Sequence, residues 1–546
     1  MKPLPINLQN FTKIINEGYV YVDKTPFIAK ILSEGQNFFL SRPRRFGKSL
    51  FLSTLKAVFS GDEGLFKDLW IGQDNAFDLT QKFPVVYLDM ALKSVSPQSL
   101  EDDIKVKLRN YAKAEDIDIE AASPGAMLNN LIFELKLKYN QRVVLLIDEY
   151  DSPISDNIHD NGLAEANRNI LKYFYYNLKS REEDLRLVFV AGVTRFAFMG
   201  LSAAFNNLND ITLEDEYAGI CGITLEEFDK YFSDNLSISL DKMRENGQLD
   251  EKTTAEQFRS KILKWYDGYS WDGKTKVLNP YSILCCLRKS KFSDYWIQTS
   301  PSIYFLDKIA AKNPLELLDD FSAKLGEGKL GMAEVGKLQP IPALFQTGYL
   351  TIDKSFSVPS VGSSFTLKIP NWEIKNQRYD IFTETLFNTL KLDTDNEKVN
   401  FYNALKYKDS QKLTLIFSSL FAGLPAIRHR DNESYYFKII YGYLNGLNCL
   451  VLPELPMAIG TPDLIAAYPE EKLRAIIELK FSPDIPTDEA AKTKILNAMA
   501  NKALLAIENK RYFWSSWDET TQLVKIGVGI TLRGECLVLF GDGISK

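Results

Sequence analysis

Residues 41 to 50 read Ser41-Arg42-Pro43-Arg44-Arg45-Phe46-Gly47-Lys48-Ser49-Leu50, and the last part, Gly47-Lys48-Ser49, is the end of a phosphate-binding loop. The start departs from the G-x-x-x-x-G-K-[ST] pattern, which requires glycine where Arg42 stands. Before the loop, Asn37-Phe38-Phe39-Leu40 suits a short buried strand. After it, Leu50, Phe51, Leu55, Val58 and Phe59 recur at helical spacing. Strand, loop and helix in this order are the setting in which such a loop cradles phosphate. Backbone N–H groups and the helix N-terminus offer partial positive charge to phosphate oxygens. Lys48 would add a full charge toward the β and γ phosphates, and the Ser49 hydroxyl would ligate Mg²⁺. Pro43 has no N–H to give, so Arg42, Arg44 and Arg45 are expected to replace it with side-chain contacts to phosphate. The plainer reading of the stretch is a basic turn before a capped helix.

A second segment completes the expected site. Arg142-Val143-Val144-Leu145-Leu146-Ile147-Asp148-Glu149-Tyr150-Asp151 places acids after five consecutive apolar residues. The apolar run reads as a buried parallel strand, and its C-terminal end is where ligands of open α/β sheets bind. Asp148 would hold Mg²⁺, directly or through water, and Glu149 would orient and deprotonate the attacking water. Asp151 has no evident role. Leu187 to Arg195 reads as a third strand ending in Thr194 and Arg195, candidate sensors of the γ-phosphate, although Arg195 suits an ion pair with a local acid equally well. Pro84 to Asp89 is a fourth parallel candidate.

The chain has 546 residues, enough for two to four domains, with 45% hydrophobic and 12% aromatic content, as in an ordered globular protein. A net charge of −6 argues against global attraction to nucleic acid and confines any such contact to a local patch. Five scattered cysteines show no zinc spacing and no disulfide framework, and only two histidines occur. With no apolar signal core and no run of about twenty apolar residues, a reduced cytoplasmic protein without a membrane span is expected. Residues 1–225 alternate strand and helix, as an α/β core with a parallel sheet does. Residues 226–375 read as a mainly helical region. Its small hairpin runs from Leu350-Thr351-Ile352 to Phe365-Thr366-Leu367. A boundary is expected between 375 and 395.

The last region, 376–546, carries a second constellation. Gly460 to Ala467, a turn at Pro469-Glu470-Glu471, and Leu473 to Lys480 read as a hairpin. A turn centred between 470 and 471 sets Asp463 opposite Glu478, with Lys480 on the same face. Adjacent carboxylates repel unless a cation lies between them. The Pro462-Asp463 … Glu478-x-Lys480 arrangement is that of a metal-dependent nuclease. Asp463 and Glu478 would bind Mg²⁺ and Lys480 would position the water or stabilise charge at phosphorus. Glu433, opening a helix upstream, is a candidate third metal carboxylate. The plain alternative is a hairpin with ordinary surface charges.

The two constellations together resemble the bacterial and archaeal AAA-ATPase-like proteins fused to a C-terminal PD-(D/E)XK nuclease domain. The resemblance rests on Tyr21-Val22-Asp23-Lys24-Thr25, the Arg42–Ser49 string, Ile147–Asp151, Trp265-Tyr266-Asp267-Gly268-Tyr269, Asn279-Pro280, Gln346-Thr347-Gly348-Tyr349 and the 463–480 hairpin. It implies that Arg42 is a family feature. It also implies a P-loop NTPase sheet, a helical lid and a C-terminal α/β restriction-endonuclease-like domain, with ATP and Mg²⁺ as cofactors. DNA is the implied partner, and a homo-oligomer is a further expectation. Such nuclease domains often carry a glutamine where Ala506 stands, which weakens the case for cutting. Two functions follow: an ATPase joined to a Mg²⁺-dependent endonuclease, or a nucleotide-dependent switch whose nuclease-like domain binds without cleaving.

Overall fold

The computed structural model of the chain describes residues 2–546 apart from 75–76, 93, 196–207, 247, 250, 298–305, 308–323, 332–339, 359–361, 424–432, 448, 454–462, 469–470, 485, 487, 510–521 and 542–546. Pro462 and the segment 510–512 after the last long helix lie outside the described residues. Two compact units result. The first comprises Met1–Phe305 and Asp320–Asn376, the second Leu306–Asp319 and Gln377–Lys546.

In the first unit, β1 (Asn37–Ser41), β2 (Val85–Asp89), β3 (Val143–Asp148), β4 (Leu185–Gly192) and β5 (Asn209–Asp210) form one sheet in the order β2-β3-β4-β1-β5. Each of its strand pairings is parallel. Every residue of β1 and β3 is buried, which is why both strands lack a polar alternation. Parallel pairing brings the C-terminal strand ends to one edge. There β4 separates the loop after β1 from the acids after β3, and Asp89 is the register partner of Asp148.

The helices Leu225–Glu245, Ala255–Tyr266 and Pro280–Lys289 follow, as the mainly helical reading anticipates. Thr224 and Thr254 head the first two with reciprocal capping boxes, and Asn279 caps the third. Phe228, Phe232, Ile262, Tyr266 and Ile283 form their shared core. Residues on both sides of 225 belong to the first unit. The physical tie is β6 (Ile223–Thr224), which pairs antiparallel with β7 (Val277–Leu278). Within the region read as mainly helical, Lys324–Gly326 is a strand, β8. It adds to the hairpin of β9 (Thr351–Val358) and β10 (Gly362–Lys368).

The second unit holds β11 (Leu450–Pro453), β12 (Leu464–Tyr468), β13 (Leu473–Ser482), β14 (Gln522–Thr531) and β15 (Cys536–Phe540), in that order across one sheet. β11 to β13 run antiparallel, β14 lies parallel to β13 after the helix Glu489–Asn509, and β15 turns back. Leu464 pairs with Ile477 and Tyr468 with Leu473, so the observed register is the one the sequence places around 470–471. All five cysteines are buried free thiols. No helix among the described residues is long and apolar enough to cross a membrane.

Candidate functional site

The basic loop after β1 divides by direction. Arg42 and Phe46 turn inward. The Arg42 N–H donates to Gly192 O at 3.1 Å, extending the ladder between β1 and β4. Its side chain is fully buried. The guanidinium donates to Ser41 O and Thr212 O at 2.8 Å each and to Tyr217 O at 3.2 Å, and lies 4.1 Å from the Trp271 ring centre. Burial pushes it down to about 10. The expected phosphate contact of Arg42 is therefore corrected, because its donors are spent on backbone carbonyls and its flat face on an indole. Phe46 meets Tyr269 and Trp271 edge-on at 4.8 and 5.5 Å.

Two elements missed by sequence reasoning brace the same loop. Gly348, at φ +93°, packs on Pro43: a Cβ there would come 2.9 Å from the proline Cβ, so both backbone and space require glycine. Trp296 is fully buried, packs on Tyr349, and its indole N–H donates to Arg44 O at 2.9 Å. Nothing in the spacing of Trp296 marks it. For Gly348, the Gln346-Thr347-Gly348-Tyr349 marker was the available signal.

Arg44, Arg45, Gly47, Lys48 and Ser49 line a cavity of about 370 Å³ together with Asp148 and Glu149. Tyr87, Asp89 and Asp156, not foreseen, complete its wall. Lys48 Nζ donates to Arg42 O at 3.0 Å and Pro43 O at 3.1 Å, held under the loop at the start of the helix Lys48–Val58. Arg44 pairs with Asp156 at 2.6 Å. Arg45, in left-handed backbone at φ +67°, lies over Tyr281 and donates to Asn7 Oδ1 at 3.2 Å. Asp148 accepts from the Tyr87 hydroxyl at 2.9 Å and from the Glu149 N–H at 3.0 Å. Burial raises the Asp148 carboxyl, while the Ser49 hydroxyl bound to it pulls the other way. Glu149 itself sits at φ +50°, a backbone state uncommon for a side chain of its kind. Gly47, at φ +98°, has open space where a Cβ would be. The hydroxyl–carboxylate pair of Ser49 and Asp148 is the donor set that suits Mg²⁺. A larger cavity of about 690 Å³ lies by Pro84 and Val85, at the start of β2 and so away from the strand ends that carry the acids.

The candidate sensors stand outside this cavity lining. The Thr194 N–H and hydroxyl both donate to Asp151, which also accepts the Val193 N–H at 3.1 Å. Asp151 thereby gains the role the sequence left blank: it clamps the end of β4. Arg195 forms an ion pair with Asp210, and its N–H donates to Gln346 Oε1 at 2.9 Å. For Arg195 this is the pairing with a local acid that the sequence offered beside the sensor role.

In the second unit, the Asp463 N–H meets Glu478 Oε2 at 3.4 Å, and the Leu479 N–H donates to Asp463 Oδ2 at 2.8 Å. Burial pushes the Asp463 carboxyl up to about 6, and the neighbouring Glu478 adds to the rise. Lys480 Nζ lies 3.3 Å from Glu433 and 3.4 Å from Glu478. Burial alone would lower the lysine, but Glu433, Glu478 and Asp463 outweigh it and hold it raised. Glu433 also accepts the Phe481 N–H at 3.3 Å. Glu433, the candidate third metal carboxylate, thus stands beside Glu478 with Lys480 between them. No group of three or more His, Cys, Asp or Glu able to hold a metal ion occurs among the described residues.

Comparison with known proteins fits the first unit. Residues 5–202 match the AAA-ATPase-like family, described as predicted AAA-ATPase. Over 478 residues the chain is 30% identical to an uncharacterized protein in the vnfD 5′ region of Azotobacter chroococcum mcd 1, covering 86% of this chain and 87% of that protein. Residues 5–202 are an AAA-ATPase-like domain, and the chain as a whole belongs to one family with the Azotobacter protein. The residues of the AAA-ATPase-like match take in the basic loop, Asp148, Glu149 and four of the five strands of the parallel sheet. They include none of Asp463, Glu478 and Lys480. Among solved structures, Cdc6p from Pyrobaculum aerophilum is similar at 11% identity with a TM-score of 0.24, over 66% of this chain and 91% of that one, a likeness too loose to bear on function.

Proposed function

We propose that the first unit binds ATP with Mg²⁺ and hydrolyses it. The observation that carries this reading is the convergence of Lys48, Ser49, Asp148 and Glu149, from two separate strand ends, on one cavity. Mg²⁺, held by Ser49 and Asp148, supplies charge neutralisation at the phosphates. Lys48 leaves the carbonyls of Arg42 and Pro43 to bind phosphate oxygen, and the first N–H groups of its helix assist. Arg44 and Arg45 add charge at the rim. Glu149 orients a water and takes its proton. Nucleotide titration and steady-state turnover test the assignment. Lys48→Ala loses nucleotide binding, whereas Glu149→Gln binds ATP and turns it over at least about a hundredfold more slowly. Normal turnover in both variants rules the site out.

For the second unit the reading is Mg²⁺-dependent cleavage of DNA. It is supported by the register that sets Asp463 beside Glu478 with Lys480 on the same face. A non-cleaving interaction module is the second reading, favoured by the engagement of Glu433 with Lys480 and by Ala506. Labelled DNA incubated with Mg²⁺, with and without ATP, separates the two.

A further inference from the structure

We infer that the first unit carries a second anion site, distinct from the nucleotide cavity, which holds the backbone of a single nucleic-acid strand. A cavity of about 520 Å³ opens where the end of helix Ala255–Tyr266, the end of β10 and the start of helix Trp372–Leu390 meet. Lys264, Lys276, Lys368 and Lys375 line it, with Asp267 and Trp372. Lys368 is neutralised by Asp353 at 2.7 Å. The remaining three lysines face one aspartate, and Lys264 and Lys375 repel each other across the cavity. In a chain of net charge −6, this is a local excess of positive charge.

Trp372 makes the site more than a set of solvated lysines. It is half-buried in the cavity wall, beneath Lys264 Nζ at 4.0 Å and edge-on to Trp265 at 6.4 Å. Lysines around an aromatic ring are the pairing that grips single strands: Lys264 leaves the ring for a phosphate, and a base face takes its place on Trp372. The Trp265–Tyr269 marker, whose Tyr269 packs on Phe46 of the basic loop, has a further use here. Gly268, at φ +107°, brings the turn so close to residue 370 that an added Cβ would lie 2.2 Å from Pro370 O. That contact joins the helix and hairpin sides of the cavity.

Fluorescence anisotropy of labelled oligonucleotides on the full chain tests the site, in buffer free of nucleotide and divalent cation. Neither the ATP cavity nor the Asp463 cluster is read under these conditions, so failure of the proposed function leaves this result standing. Lys276→Gln with Lys375→Gln is expected to weaken single-strand binding about tenfold and to flatten its log–log salt slope by about 1.4. Lys179→Gln with Lys242→Gln, two exposed lysines elsewhere in the unit, leaves both unchanged. Circular dichroism and thermal melting that match wild type confirm that the variants are folded. Equal affinity of wild type and the 276/375 variant overturns the site. Displacement of the oligonucleotide by poly-glutamate as readily as by unlabelled strand overturns the nucleic-acid assignment, and binding of inorganic pyrophosphate without competition from the strand does the same.

Discussion

Arg42 shows how a residue that breaks a loop pattern can be held by the fold itself. It stands where the loop pattern has glycine, yet its guanidinium serves Ser41, Thr212 and Tyr217 carbonyls under the Trp271 ring. Arg42→Met strands three buried acceptors and should cost about 2–4 kcal/mol in denaturant unfolding. Once folded, the variant should bind ATP with little change. Loss of nucleotide affinity at unchanged stability would restore the phosphate-contact role. Trp296 is the converse case, a residue without a motif that fixes the loop through Arg44 O. It is a positioning residue. Trp296→Phe keeps the packing and removes one hydrogen bond of about 1 kcal/mol, equivalent to about a fivefold rise in KM for ATP. Steady-state kinetics should show that rise with kcat changed less than twofold. The sequence made Lys48, Ser49, Asp148 and Glu149 legible because pattern and strand ends both pointed to them. It hid the direction of Arg42, because the carbonyls and the indole that capture it come from segments remote in the chain.

At the scale of elements, periodicity carried the reading where an element is long and one face is buried. β3 was placed by its run of five apolar residues, and the hairpin of β12 and β13 with its register, because the turn centre fixes which residues face each other. β8 escaped because three residues, Lys324-Leu325-Gly326, give no alternation to read. The first turn of the helix Trp372–Leu390 hides another feature: Glu373 is fully buried, accepting from Ser282 Oγ at 2.8 Å and Trp296 N at 2.8 Å. Burial pushes its carboxyl from 4.5 up to about 8, against the pull of those hydrogen bonds. Between roughly pH 4.5 and 8 the unfolded chain has lost this proton and the folded chain keeps it. Stability from this group is therefore whole below that window and falls as pH rises through it. Glu373→Gln, neutral at every pH, should unfold at higher temperature than wild type at pH 9 and lose that advantage by pH 5. Parallel melting curves across the range would refute the assignment.

At the scale of the whole molecule, similarity to the Azotobacter protein runs over 478 residues and so extends beyond the first unit, while the AAA-ATPase-like match stops at residue 202. The chain is thus related along most of its length, whereas its recognised chemistry is confined to the first part. The acids of the two candidate sites belong to separate compact units; Asp148 is hydrogen-bonded to Tyr87 and Glu149, and Asp463 to Glu478 and Leu479. Substitutions that share no partner act nearly independently on stability and ground-state binding. Asp463→Ala should therefore bind and hydrolyse ATP within about twofold of wild type. Coupling, where it exists, would appear in DNA cleavage. The measurement is release of labelled fragments from single- and double-stranded DNA with Mg²⁺, with and without ATP. Wild type should cut, Asp463→Ala and Lys480→Ala should each fall at least about a hundredfold, and Lys48→Ala should abolish any stimulation by ATP. If wild type leaves both substrates intact, the Lys480–Glu433 pair is the structural reason to prefer a binding module. The ammonium then serves to neutralise Glu433 and Glu478, and not to position a water.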